Sequence, residues 1–561
     1  MQNLQPFTRR VRIAYFSMEI AIRPEIHTYS GGLGVLAGDV ARSCADLDLP
    51  VVFVSLLSRE GYFRQEIGPE GQQIEHPDPW DPSAFMTPLG AMIAVQIEQR
   101  SVWVRPWLYL LTSPLGHTVP VLFLDTDLSE NAPTDRTITH YLYGGDTAYR
   151  LRQEIVLGIG GTRLLRALGF EIATYHMNEG HSALLALELL SYYLRPAIRG
   201  QSPHDLGAVQ RRCVFTTHTP VEAGHDRFPH ELVRRLLGGA IDSDLLNEVC
   251  PGGELNMTRL ALDLSGYVNG VAEKHSETTE RMFPGYEVRS ITNGVHVATW
   301  AHPAFARLFQ ARFPDWGLQP EVLVGADQLP DADVWAAHQS AKEELLRAIS
   351  ARGGPAMRAD LPLIGFARRV TAYKRPELLF SDIERLQAIN RQFPFQIVLA
   401  GKAHPRDFDG KQRIVDIHRH IRRLAPALPV AFLADYDMAL ARLLVAGSDV
   451  WLNTPQPPME ASGTSGMKAA VNGVLNLSAL DGWWLEAQVE GVVGWSLGDD
   501  PAHPGADAAS LYDKLERVVL PLYARDRSRW IWMMKEAMSK IPQQFNSQRM
   551  MRRYATEAYL R

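Results

Sequence analysis

The chain has 561 residues, 57 basic and 63 acidic side chains, a net charge of −6 and a hydrophobic fraction of 46%. A single hydrophobic core stops growing at roughly 250 to 300 residues, so this length predicts two domains. The charge balance provides no basic footprint for nucleic acid, and polyanionic partners are not expected. Cys44, Cys213 and Cys250 are too few and too scattered for a disulfide framework or a zinc knuckle, which fits a reducing compartment. The N-terminus lacks the apolar core of a signal peptide, and no run of about 18 apolar residues occurs. A cytoplasmic protein with no membrane segment is the expectation.

In chain order, short apolar runs at residues 11–16, 51–57, 119–124 and 214–217 alternate with helical stretches, which predicts an α/β layered sheet. Residues 91–111 alternate with period two and read as an antiparallel hairpin inserted on the first domain. After the Pro/Gly/Asp-rich stretch at 315–333, strands are predicted at 363–366, 395–400, 430–433, 450–452 and 474–477. Each is followed by a helical pattern, as βαβ units require. From residue 508 onward the chain reads as mostly helical. Two doubly wound domains facing one another would set their strand-end loops across a shared cleft.

Chemistry concentrates in a few runs. Glu460-Ala-Ser-Gly-Thr-Ser-Gly-Met-Lys468 crowds small hydrogen-bonding residues before one lysine. Such a run gathers amides and hydroxyls round an anion, and the lysine supplies an amine for a Schiff base, which is how a protein would hold pyridoxal phosphate. A six-residue match by itself reads better as a Gly/Ser loop before a solvated lysine. Arg368, Arg369, Lys374 and Arg375 follow the 363–366 strand, where a phosphate-facing loop and a solvated basic turn are equal alternatives. Gly31 to Gly34 open a helix and present amides at its positive end, with a plain tight turn as the alternative. Gly158-Ile-Gly160-Gly-Thr-Arg163 lacks the third glycine of a dinucleotide fingerprint and reads as helix packing. His176 and His181 form no H-E-x-x-H pattern, so no metal is expected. Trp530 to Met534 read as core or interface.

The segment from Glu460 through Lys468, Asn472-Gly473 and Asp481-Gly482 resembles the cofactor-lysine region of the α-glucan phosphorylases, the glycogen and maltodextrin phosphorylase family. Tyr29-Ser-Gly31-Gly32-Leu33-Gly34, Asn178-Glu-Gly-His181, Thr217-His218-Thr219, Val268-Asn-Gly-Val-Ala, Thr292-Asn293-Gly294, Arg368 to Arg375 and Gly401-Lys402-Ala403 resemble further family blocks in the same order. The resemblance covers roughly residues 12 to 485, far more than any single motif. It implies the GT-B arrangement of two Rossmann-like domains: residues 1–294, residues 295–525 carrying the cofactor and phosphate site, and 526–561 crossing back to the first domain.

It also implies pyridoxal 5′-phosphate covalently held at Lys468, with Thr464, Ser465 and Arg368 near the cofactor phosphate. Arg369 and Lys374 would bind the substrate phosphate. Gly32, Leu33 and Gly34 would lie over the glucosyl and phosphate subsites, and Asn293, Tyr373, Glu460, Ser462 and Gly463 round the glucose. His218 would set its carbonyl near the anomeric centre. The implied partners are an α-1,4-glucan or maltodextrin, inorganic phosphate and glucose 1-phosphate, and the reaction is retaining phosphorolysis. The oligomeric state stays open, a homodimer included. Two residues depart from the better-known large members: Asp437 stands where they have an arginine, and Thr371 where they have a histidine. Their N-terminal regulatory extension has no counterpart here, so nucleotide or phosphoserine activation is not expected. A GT-B glycosyltransferase using a nucleotide sugar and a catalytically weak glucan-binding protein are the rival readings.

Overall fold

Runs of β-branched and aromatic residues buried on both faces make parallel strands, and a computed structural model of the chain gathers them into two sheets. It describes residues 4–196, 203–238, 245, 253–498 and 506–560, so Cys250 lies outside the described residues. In the first sheet Ile13–Phe16 runs between Val51–Leu56 and Thr174–Asn178, parallel to both. Cys213–Thr216, Tyr267–Gly270 and Arg289–Ser290 continue one edge. On the other, Thr118–Asp125 follows Val51–Leu56.

The hairpin of Ile93–Ile97 and Arg100–Thr112 forms as the alternation predicts. It is not a separate insertion, however, because Arg100–Thr112 is long enough to pair antiparallel with Thr118–Asp125 as well, from Arg105 opposite Asp125 to Thr112 opposite Thr118. Thr174–Asn178 escapes the apolar-run criterion because His176 and Asn178 sit in it, yet both are buried with their polar atoms bonded, His176 to Tyr559 and Thr216, and Asn178 to Ser17 and His218.

The second sheet is parallel throughout, in the order Val430–Leu433, Gln396–Ala400, Leu363–Ala367, Val450–Asn453, Leu475–Ala479, Gly494–Leu497. Leu363–Ala367 has successive strands on opposite sides, as Ile13–Phe16 does in the first sheet. Each is therefore a topological switch point, where open α/β sheets bind ligands beyond the carboxyl ends of their strands. The Gly158 run packs as expected: it lies in a helical stretch, and a Cβ on Gly158 would come within 2.7 Å of the Leu185 amide. Trp530 is buried in the second core.

Two passages of chain join the sheets side by side. Val295 donates to Phe545 O at 3.0 Å and Ser547 donates to Val295 O at 2.9 Å. Beyond them Met550, Met551 and Tyr554 enter the first sheet's core with Ile13, Tyr15 and Val214. A hairpin of Arg64–Ile67 and Gln73–His76 reaches the other way. Its Gln65 amide donates to Asp435 Oδ1, the Gln65 side chain donates to Gly401 O, and Gln73 Oε1 accepts from the Ala403 amide, at 2.9 to 3.0 Å. The Gly401-Lys402-Ala403 turn is thus where the first body holds the second, with Lys402 Nζ on Phe63 O at 2.8 Å.

Candidate functional site

The loop leaving Leu363–Ala367 carries the cations. Arg368 Nη2 and Lys374 Nζ both donate to Glu460 Oε2, at 2.7 and 2.5 Å, with all three side chains about a tenth exposed. Burial opposes the charge on Glu460, but the two cations outweigh it and hold the carboxyl down to about 2. Glu460 Oε1 accepts no hydrogen bond among the described residues. Arg368 keeps Nε and Nη1 buried without partners, as is Thr371 Oγ1.

Arg369 differs from its neighbours. It is open to the cleft and makes no hydrogen bond or ion pair among the described residues, while burial is opposed by Tyr373, Tyr62, Glu19 and Tyr143, with a net upward shift. Arg375 does not join this group. Its left-handed backbone (φ 45°) turns the side chain to Thr454 O, Pro455 O and Asp507, so it braces the following loop.

The helix Ser465–Val471, which follows Glu460 in the chain, carries Lys468. The Lys468 amine lies 4.1 Å from the centre of the Trp300 ring and makes no hydrogen bond or ion pair among the described residues. Burial lowers its pKa to about 8. Gly466 has no room for a side chain, since a Cβ would sit 2.3 Å from Asn476 Oδ1 and 2.7 Å from the Trp483 ring. The Ser465 hydroxyl accepts from Trp451 Nε1 and donates to Asn453 Oδ1. Ser462 O receives the Trp483 amide, and Asp481 accepts from the Glu460 and Gly482 amides at 2.8 and 2.9 Å. Burial pushes Asp481 up to about 7.

From the other switch point comes Glu19, beyond Phe16. Its Oε2 accepts from the Ser30 and Gly31 amides, and Oε1 from the Tyr143 hydroxyl, at 2.6, 3.2 and 2.9 Å. Burial raises its pKa. This carboxylate shapes the glycine turn: a Cβ on Gly34 would meet Glu19 Oε2 at 2.7 Å, while Gly31 and Gly32 face open space. The helix Gly32–Asp46 follows. His218 hangs from the carboxyl end of Cys213–Thr216, its Nε2 2.6 Å from Asn178 Oδ1 and its amide on Glu179, and burial lowers it to about 3. Asn293 is buried with Oδ1 unpaired. Beside Arg369 a pocket of about 270 Å³ opens between the two bodies, lined by Tyr62, Phe63, Tyr141, Tyr143, His404 and Arg406.

Of the two departures, Asp437 is the N-cap of the helix Met438–Gly447, accepting from the Leu440 amide at 2.7 Å, a role arginine cannot fill. Glu19, Tyr143 and Trp300 went unread in the sequence, and Asp481 is legible there only as part of a motif, with no role. Only the position of Glu19 just past the first strand could have marked it.

Two Rossmann-like sheets, each with a topological switch point, define a two-domain fold of the GT-B type. A carbohydrate phosphorylase family profile matches residues 243–494. Maltodextrin phosphorylase of Thermococcus litoralis is 39% identical over 98% of this chain and 70% of its own length. Glycogen phosphorylase of Mycobacterium tuberculosis is 35% identical over 98% and 70%. That of Aquifex aeolicus is 34% identical over 98% and 86%. The chain belongs to the carbohydrate phosphorylase family.

Proposed function

We propose that the protein is a pyridoxal 5′-phosphate-dependent α-1,4-glucan phosphorylase that releases glucose 1-phosphate with retention from glycogen or maltodextrin. The observation that supports this reading most directly is the Lys468 amine, buried, lowered to about 8 and so reactive near neutrality, together with Arg369, exposed and without a hydrogen bond or ion pair among the described residues. Cofactor and residues fit. Lys468 has no hydrogen-bond or ion-pair partner among the described residues, Arg368 has two buried nitrogens without partners, and a Cβ at Gly31 or Gly32 would meet open space. Lys468 would hold the cofactor covalently, with Thr464, Ser465 and Arg368 toward its phosphate. When bound, it supplies a phosphate group beside the substrate phosphate and able to exchange a proton with it.

Two phosphates side by side repel, so cations must converge on them. Arg369 and Lys374 hold the substrate phosphate, with the amides of Gly32 to Gly34 opposite. Glu460 keeps Lys374 and Arg368 aimed, and offers its free Oε1 to a sugar hydroxyl. Ser462, Gly463, Asn293 and Tyr373 complete the glucosyl site, and the His218 carbonyl faces the anomeric carbon. A phosphate oxygen bonds to that carbon as the glycosidic bond breaks, and the departing oxygen takes a proton from the phosphate. The aromatic pocket beside Arg369 suits the rest of the glucan, since sugar faces stack on rings. A cytoplasmic setting is supported by Cys44 and Cys213, which are free and buried.

Borohydride reduction followed by peptide mapping tests the reading. The phosphopyridoxyl label is expected on Lys468 and is lost in Lys468→Ala, whereas a label on another lysine, or none, refutes it.

A further inference from the structure

Lys468 and the Trp300 ring under its amine both belong to the second sheet's core, but the carboxylate that holds the ring, Asp39, comes from the first sheet's side. The Trp300 ring under the amine is itself held at two points. Its indole Nε1 donates to Asp39 Oδ2 at 2.8 Å, and its carbonyl accepts from Asn472 Nδ2 at 2.9 Å. The same Asn472 amide group donates to Lys468 O at 3.0 Å, and its Oδ1 accepts from the His302 amide, so the lysine backbone and the ring share one anchor. Asp39 lies in the helix Gly32–Asp46 that opens with the glycine turn, and only about 1% of it is exposed. Its Oδ2 also accepts from the His296 amide at 3.2 Å, in the passage of chain that joins the two sheets.

We infer that Asp39 is the positioning residue for Lys468: from the opposite sheet it locks the Trp300 ring against the amine and supplies the carboxylate charge that the amine feels. The charged groups round this pair are few. Asp39 acts on Lys468 from the glycine-turn helix, while Arg42, one turn further on, and Arg442, from the helix Met438–Gly447, both act on Asp39. Burial alone would push the amine further down, and Asp39 pulls it back up toward its charged form. Lysine chemistry at the cleft is thereby tied to the approach of the two sheets. If they separate, the ring, its anchor and the counter-charge no longer act on the amine together. The inference rests on Lys468 as the cofactor lysine.

The test uses the full chain as wild type, Asp39→Asn, Asp39→Glu and Trp300→Phe. In cofactor-free protein the reactivity of Lys468 toward reductive methylation is followed against pH by mass spectrometry of its peptide. Pyridoxal 5′-phosphate affinity is then measured separately by absorbance. Asp39→Asn should lower the amine midpoint from about 8 by at least about half a unit. It should also raise the cofactor Kd at least about threefold, by freeing the ring. Asp39→Glu should restore the midpoint. Trp300→Phe keeps a ring and the charge but loses the indole N–H, so it should raise the Kd with the midpoint near that of wild type. A wild-type midpoint and Kd in Asp39→Asn would overturn the inference. Should that variant fail to fold, an unchanged Kd in Trp300→Phe overturns it instead. Absence of cofactor binding in the wild type would count against the proposed function, while the amine midpoint would still test Asp39.

Discussion

Replacing Glu460 by Gln perturbs the one carboxylate that gathers the cation loop. Its Oε2 binds Arg368 and Lys374 together, and its carboxyl is held to about 2, against 4.5 for an unperturbed glutamate. A drop of roughly 2.5 units corresponds to about 3 kcal/mol of folding free energy. Because the folded-state value is depressed, this contribution is complete above about pH 4.5 and fades as the pH falls through about 2. Glutamine keeps the shape but leaves two buried cations without a counter-charge. Glu460→Gln should therefore melt earlier than wild type at neutral pH, and the gap should narrow steadily below about pH 4.5. Scanning calorimetry of both proteins between about pH 3 and pH 8 reads this directly. In the same variant kcat/KM for glucan should fall at least tenfold, about 1.4 kcal/mol, while cofactor content persists. A melting gap that does not change with pH, or wild-type kinetics in the folded variant, would refute the reasoning.

Arg369→Ala should raise the phosphate KM and lower kcat, the lost charge-assisted contact being worth roughly 1.5 to 3 kcal/mol, with little loss of melting temperature because Arg369 is exposed and makes no hydrogen bond or ion pair among the described residues. Steady-state kinetics against phosphate check it, and unchanged constants would move the phosphate elsewhere. Lys342→Met should act oppositely. Lys342 is fully buried 2.6 Å from Asp449, which also receives His338, so its loss should cost about 3 to 5 kcal/mol in stability and leave kcat of the folded fraction intact. Burial raises the thiols of Cys44 and Cys213, so neither should react with a disulfide reagent until the protein unfolds, and peptide mapping of early labelling would expose an error.

The apolar runs at 51–57 and 430–433 announced their strands because parallel strands are buried on both faces and need no alternation. Thr174–Asn178 did not, since its polar residues are satisfied by groups far off in sequence, His176 by Tyr559 and Thr216 and Asn178 by Ser17 and His218. Gly494–Leu497 was missed for a similar reason: a four-residue strand opening with glycine has little local signal. At the site, motif spacing found the cation loop, the lysine run and the glycine turn. It could not separate Arg369, free in the cleft, from Arg375, turned away by one left-handed residue. Nor could it foresee that Glu460 binds two of the cations, or that Asp437 caps a helix.

The most direct measurement is the release of glucose 1-phosphate from maltoheptaose by the purified protein with and without inorganic phosphate. The account predicts α-glucose 1-phosphate in proportion to the chains shortened, with no product when phosphate is omitted or Lys468 is replaced by Ala. Free glucose formed without phosphate, or no shortening of the glucan while the phosphopyridoxyl label sits on Lys468, would contradict it.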